Sequence, residues 1–288
     1  MHKITHCISS FNNLNYLKLA VKSVRENSYY KDAPFIIHTE NSVDGTNEWL
    51  KENSEKWNFD YYIEDNENPI GIGGGMNFCA ERVETEFINF LHADFYVSKN
   101  WDLELLKKFE KYPNEKLMVF SHRIQPDIFN DSDRPGTVFV PLNEFGEYHH
   151  NFDEDYFKTW AEDFTSMNDF EITKTEGVSG MIRKKDWDYI GGNDERFAPA
   201  YWEDADLFIR MMNEGYKFTI TSKSLVYHFA SRASRFPDDN LKSRPINLAE
   251  IEQRSLQRFV EKYGKLPTLD SNQHYIAMRP IDGSENRI

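Results

Sequence analysis

Short apolar runs that each end in a polar, turn-forming cluster, with a segment of helical period after them, recur from Ile4 to Phe120, and this alternation most restricts the fold. Ile4–Ser10 runs into Phe11-Asn12-Asn13. Leu14, Leu17, Val21 and Val24 then recur at spacings of three and four, with Asn13 or Asn15 placed to cap a helix. A second strand over 35–39 follows Pro34 and opens onto Glu40-Asn41-Ser42-Val43-Asp44-Gly45-Thr46, ahead of a helix through Trp49 and Leu50; a third strand covers 59–63. The segment 68–77, rich in glycine, leads into a helix over 78–83, and the strand at 87–91 runs directly into His92-Ala93-Asp94. A helix over 101–109 and a strand over 117–120 follow. Strands joined by crossover helices form a mainly parallel sheet, so the chain reads as α/β with helices flanking the sheet. Ligands of such sheets sit beyond the carboxyl ends of the strands, which directs attention to the polar loops.

From 121 to about 170 the texture changes to Pro, Asp, Asn, Tyr and His without a sustained period, and we read an irregular insertion there. Regular structure resumes with a strand over 178–182, a helix over 185–190, the turn Gly191-Gly192, a helix over 204–213, and strand segments at 218–221 and 225–228. A last helix over 251–263 stops at Gly264, and the tail beyond reads as polar. The expected division is a single α/β domain over 1–235 and a helical extension and tail over 236–288.

The chain has 288 residues, 39% hydrophobic and 15% aromatic, enough for a sizeable core. Asp and Glu number 48 against 34 Lys and Arg, a net charge of -14 that argues against nucleic acid as partner. The two cysteines, Cys7 and Cys79, offer neither a disulfide framework nor a zinc knuckle, which suits a reducing compartment. With no run of signal-peptide or membrane-span length, the expectation is a cytoplasmic protein that reaches any membrane-borne acceptor by peripheral contact.

Asp94 follows a buried-looking strand, where its carboxylate suits a hard divalent cation; alone, it reads first as a strand-end cap. His92 lies two residues earlier, on the same side if the strand period holds. His228 ends another strand and could add an imidazole to the same ion, although a lone His is more often a hydrogen-bonded structural residue. Trp202-Glu203-Asp204-Ala205-Asp206 places three carboxylates at a helix start; the macrodipole accounts for one or two, and one could take a proton from an acceptor hydroxyl. The glycines at 71, 73, 74 and 75 fail the dinucleotide pattern, because Met76 or Phe78 stands where the third glycine belongs, and no Lys-Ser or Lys-Thr follows for a P-loop.

In order, these motifs resemble the inverting family 2 glycosyltransferases of the GT-A fold, a Rossmann-like mixed sheet. Ser9-Ser10-Phe11-Asn12 resembles the first nucleotide-binding loop. Glu40 to Thr46 resembles the family's Asp-Asn-Ser-Ser-Asp-Gly-Thr loop, and Asn68, Gly71 and Asn77 its Asn-x-x-Gly then Asn pattern. His92-Ala93-Asp94 stands at its Asp-x-Asp motif, and Trp202 to Leu207 with Arg210 and Gly215 matches its Glu-Asp helix. The resemblance implies a nucleotide site made by Ser9, Phe11, Glu40 at the base, Asp44 at the base or ribose, Asn68, Gly71, Asn77, His92 and Ala93. It also implies metal ligation by Asp94 and His228, with Mn2+ or Mg2+ as cofactor. Asp204 is the expected general base and Glu203 its competitor. The donor would be a nucleotide-diphosphate sugar, a UDP-sugar by family expectation, and the acceptor a glycan, a lipid-linked glycan or a protein, with inversion at the anomeric carbon. Two departures stand out: His92 replaces the first Asp of the metal motif, and Glu40 is one methylene longer than Asp. They motivate the competing reading of a non-catalytic carbohydrate- or nucleotide-binding protein on a decayed glycosyltransferase fold. A nucleotidyltransferase ranks last, for want of a basic glycine-rich loop after the first strand.

Overall fold

The computed structural model describes residues 2–126, 137–140, 144–175, 180–230, 247–269 and 275–280. The first half alternates as the periodicity predicts: β1 (Ile4–Ser10), α1 (Leu14–Asn27), β2 (Phe35–Glu40), α2 (Thr46–Trp57), β3 (Asp60–Glu64), α3 (Gly71–Glu81), β4 (Phe87–His92), β5 (Phe95–Val97), α4 (Trp101–Lys111) and β6 (Leu117–Pro126). Then come β7 (Thr137–Val140), α5 (Glu154–Met167), β8 (Glu171–Ile172), β9 (Met181–Arg183), α6 (Lys184–Ile190), α7 (Glu203–Asn213), β10 (Lys217–His228), α8 (Leu248–Tyr263), β11 (Lys265–Leu269) and β12 (Tyr275–Pro280).

The main sheet runs β3-β2-β1-β4-β9-β6-β10-β5. β1, β2, β3 and β4 are parallel, β6 and β10 are parallel, and the short β9 lies antiparallel between β4 and β6. One face packs on α1, α2 and α4 through Leu17, Val21, Leu50 and Leu105; the other packs on α3, α6 and α7 through Met76, Trp187, Leu207 and Met211. That makes three layers with an apolar core on each face of the sheet, beside smaller clusters around Phe157 and Phe259.

The pairing order forbids a flat sheet. β4 and β5 stand four places apart in that order, yet only Ala93 and Asp94 separate them in sequence. Four strand spacings are about 19 Å, whereas the three Cα steps from His92 to Phe95 reach about 11 Å at most. The sheet therefore curls until its far edge, β10 with β5, returns to the end of β4. Asp94 sits at that closure, its carbonyl accepting the Phe229 N–H at 3.1 Å. In β10 the pairing with β6 jumps from Thr221↔Ser121 to Leu225↔His122, leaving Ser222-Lys223-Ser224 as excess.

Several expectations change. α3 begins at Gly71, so the glycine run is helix and not the loop before one. The stretch read as irregular from Ser121 holds the rest of β6 to Pro126 and the helix α5, whose first turn is capped by Asp153 accepting the Tyr156 N–H. The two segments at 218–221 and 225–228 are one strand, β10. The polar tail pairs β11 with β12 as a two-stranded antiparallel sheet. Of the strand expected over 178–182, residues 178 and 179 lie outside the described residues. Asn13 makes no side-chain cap for α1; the first amide, Leu14 N–H, is bound by Asp44 from the next loop. The two cysteines, distant in sequence, meet in the core, where burial first and the neighbouring Cys79 thiol second push the Cys7 thiol up. Among the described residues no helix is long and apolar enough to cross a membrane.

Candidate active site

The loops at the carboxyl ends of β1, β2 and β3 brace one another. Asp44 accepts Leu14 N–H at 2.8 Å with one oxygen, and Thr46 N–H and Oγ1–H with the other. Asn12, in a left-handed conformation (φ 48°), accepts the Val43 N–H at 2.8 Å. Glu40 is buried, and its oxygens accept Gly71 N–H at 2.6 Å, Ile70 N–H at 3.0 Å and Asn66 Nδ2–H at 3.2 Å. The carboxylates expected at the nucleotide thus also brace the loops, Glu40 the one that launches α3 and Asp44 the start of α1. Asn68 lies exposed in that loop, and Phe11 is half-buried at the end of the first.

Why α3 tolerates so many glycines becomes clear from its neighbours. Gly71 has φ +69°, and a Cβ there would overlap the Pro199 backbone; one at Gly75 would strike Ser9 Oγ and His38. Gly73 faces Asn193 and Glu203 at 3.2 and 3.5 Å from its would-be Cβ. The glycines let α3 lie directly on β1, β2 and the loop before α7. Asn77 points to that same loop, exchanging hydrogen bonds with Asn193 N–H (2.8 Å) and the Asn193 carbonyl (2.9 Å).

At the sheet closure Asp94 and His228 converge, Oδ2 to Nε2 at 3.5 Å, both nearly buried. His228 Nδ1 lies 3.2 Å from Gln125 Oε1. Gln125 thus holds the far side of the ring while Nε2 faces Asp94. His92 stacks on Phe95, ring centroids 5.1 Å apart, with the His228 ring at 5.9 Å. Burial pushes the His92 imidazole down to about 4, and the neighbouring His228 and Arg123 add to this against the opposing Asp94 charge. Ala93 is buried beside it.

Glu203 and Asp204 open α7. The two residues before them, Tyr201 and Trp202, both have left-handed φ (73° and 68°), a rare conformation for aromatic side chains that concentrates at functional sites. Burial first and the Asp204 charge second raise the Glu203 carboxyl, and burial raises Asp204 despite the Ala205 amide and Arg123. Glu203 Oε2 is a buried oxygen without a hydrogen-bond partner. The Arg123 guanidinium acts on both His92 and Asp204, so one cation is felt at the closure and at the start of α7.

Arg123 and Gln125 were not among the residues singled out from sequence. Both sit on the part of β6 beyond Phe120, where polar residues end the apolar run that marked the strand. Among the described residues no three His, Cys, Asp or Glu side chains gather into a metal cage. Asp94 and His228 instead supply two donors, oxygen and imidazole nitrogen, with His228 oriented from behind by Gln125. That donor set fits a divalent ion completed by diphosphate oxygens.

The sequence profile of glycosyl transferase family 2 matches residues 5–177, more than half the chain. The chain belongs to that family, a family of glycosyltransferases. Among solved structures it is similar to S. aureus TarS, at 13% identity over 91% of this chain and 43% of that one, with a TM-score of 0.54. It is similar also to GalNAc-T7 crystallised with UDP, GalNAc and Mn2+, at 15% identity over 79% and 44%, with a TM-score of 0.55. S. aureus TarS 1–349 in complex with UDP-GlcNAc aligns at 14% identity over 92% and 67%, with a TM-score of 0.53. The chain spans less than half the length of the first two, and identities this low establish the shared GT-A fold. No curated protein matches the sequence.

Proposed function

We propose that this chain transfers a sugar from a nucleotide-diphosphate sugar, a UDP-sugar by preference, to an acceptor hydroxyl with inversion, in a reaction that depends on Mn2+ or Mg2+. The observation that supports it most is the pairing of Asp94 with His228 at the sheet closure, with Gln125 against the opposite ring nitrogen and Nε2 facing Asp94. Asp94 and His228 would hold the ion. Bound there, it would neutralise the leaving diphosphate.

The chain's own groups account for the other tasks. The braced loops of Asp44 and Glu40 present Ser9, Phe11 and Asn68 along the carboxyl edge of the sheet, as a nucleotide site of this fold requires. Asp204, the general base in this reading, takes the acceptor's proton as its oxygen attacks the anomeric carbon and the bond to the diphosphate breaks. Burial keeps its proton affinity above that of an ordinary aspartate, which favours the transfer. Glu203, raised by burial and by the Asp204 charge, is the second carboxyl of the pair. UDP bound to GalNAc-T7 and UDP-GlcNAc bound to TarS 1–349 support that choice of nucleotide, and Mn2+ in the former supports the ion.

Calorimetry of the purified protein with UDP, GDP and dTDP, each with and without Mn2+, tests this. Binding that requires the ion is expected for one nucleotide. Failure of all three to bind in its presence would sink the proposal, and full biological activity in Asp204→Asn would favour the non-catalytic alternative.

A further inference from the structure

α8 lies beyond the strands of the main sheet, yet one stripe of it is devoted to the loop that presents Glu203 and Asp204. Ser255, Arg258, Phe259, Lys262 and Tyr263 recur at helical spacing and face the same way. Ser255 Oγ donates to the Ala200 carbonyl at 2.8 Å and Arg258 Nη1 to the Ala198 carbonyl at 2.7 Å. Phe259 is fully buried, 5.9 Å from the Trp202 ring. Lys262 Nζ bridges Asp194 (2.7 Å) and Asp206, and Tyr263 Oη donates to Asp206 at 2.6 Å.

Asp206 sits in the first turn of α7 with no exposed surface, its other oxygen taken by Arg210 Nε at 2.8 Å. Arg210 in turn reaches back to the carbonyls of Ile190 and Gly192. The loop carries two consecutive left-handed aromatic residues, a backbone state that persists only where surroundings over-determine it. α8 supplies that determination from one side, and Gly71 of α3, receiving the Pro199 backbone, from the other.

We propose that α8 is a positioning clamp for the acid–base pair, with Lys262 as its principal positioning residue. It sets the angle at which Glu203 and Asp204 meet the acceptor and leaves donor binding to the sheet loops. This rests on the reading of that pair as proton acceptor, so the two are tested side by side.

The full chain is assayed for hydrolysis or transfer with UDP-glucose, UDP-galactose, UDP-GlcNAc and UDP-GalNAc, and the sugar that turns over is used throughout. Lys262→Met is expected to lower kcat by about 10- to 100-fold while donor KM and UDP affinity stay within about twofold, the pattern of misplaced catalytic groups. Lys262→Arg, which can still bridge two carboxylates, should recover most of kcat. Tyr263→Phe, which deletes one hydrogen bond and keeps the ring, should cost about threefold, and it carries the test if Lys262→Met fails to fold. Unchanged kcat in folded Lys262→Met or Tyr263→Phe, or a loss confined to donor KM, would overturn the clamp. Asp204→Asn and Glu203→Gln separate the two ideas. Full turnover in both removes the acid–base reading itself, whereas their inactivity beside an active Lys262→Met removes the clamp alone.

Discussion

His228 Nε2 stands 3.5 Å from Asp94 Oδ2 while Gln125, from the neighbouring strand β6, meets the opposite ring nitrogen at 3.2 Å. Removing such an orienting partner typically weakens metal affinity about 10- to 100-fold. Gln125→Leu, which suits a site with no exposed surface, is expected to weaken Mn2+-dependent nucleotide binding to that extent with the fold intact. Asp94→Ala should abolish it. Calorimetry with circular dichroism as the folding control checks both, and wild-type affinity in Gln125→Leu would refute the orienting role.

Glu40 offers a different kind of test, because its carboxylate binds backbone amides of Ile70 and Gly71 as well as standing at the expected base contact. Glu40→Ala strands those amides, and hydrogen bonds to a charged acceptor contribute about 1.5–3 kcal/mol. A loss of stability of that size in urea titration is expected, beyond any change in nucleotide affinity. Unaltered stability would mean that the loop is held by something else.

Two glycines with similar φ should respond unequally to alanine. At Gly71 (φ +69°) the new methyl overlaps the Pro199 backbone, whereas at Gly191 (φ +80°) it meets nothing within 4 Å. Gly191→Ala should cost only the left-handed penalty, about 1 kcal/mol. Gly71→Ala should cost at least about 2 kcal/mol more, as overpacking commonly does, and should lower turnover by displacing the loop before Glu203. Equal thermal shifts for the pair would contradict the close approach of α3 to that loop.

The Glu203 carboxyl is raised in the folded chain by burial and by Asp204, above its ordinary 4.5. The unfolded chain ionises the group near that ordinary value, while the folded chain resists doing so. Stability is therefore highest below pH 4.5 for this group and is lost as pH rises through the folded pKa. Glu203→Gln should flatten that decline and stabilise the protein by about 1–2 kcal/mol at pH 8, the usual trade at a strained site. Thermal melts between pH 5 and about 8.5 would show it; a destabilised variant at the alkaline end would reverse the argument.

Much of the frame was legible because parallel βα units write their periods locally: β1 to β4, the polar loops and Asp94 all follow from runs of apolar residues. What escaped was set at a distance. Arg123 and Gln125 fall where β6 turns polar, since that end of the strand lines a site rather than a core. Gly73 to Gly75 read as loop because glycine disfavours helices, and the contacts with Ser9, His38 and Asn193 that require them come from elsewhere in the chain. Asp44 as the cap of α1 and Lys262 as the partner of Asp206 join residues 30 and 56 positions apart, which no local pattern encodes. The order of motifs carried the family; the bracing among them did not show.

The excess residues Ser222-Lys223-Ser224 in β10 have a consequence for how this chain can vary. Side chains on a strand alternate between faces, so the length of that excess decides which of Tyr227, His228 and Phe229 turns toward Asp94. Substitutions within the three leave its length untouched, while gain of a single residue brings the Tyr227 phenol, and loss of one the Phe229 phenyl, to the place of the imidazole at the closure of the sheet. Chain length at this one bulge is thus under a stricter rule than residue identity.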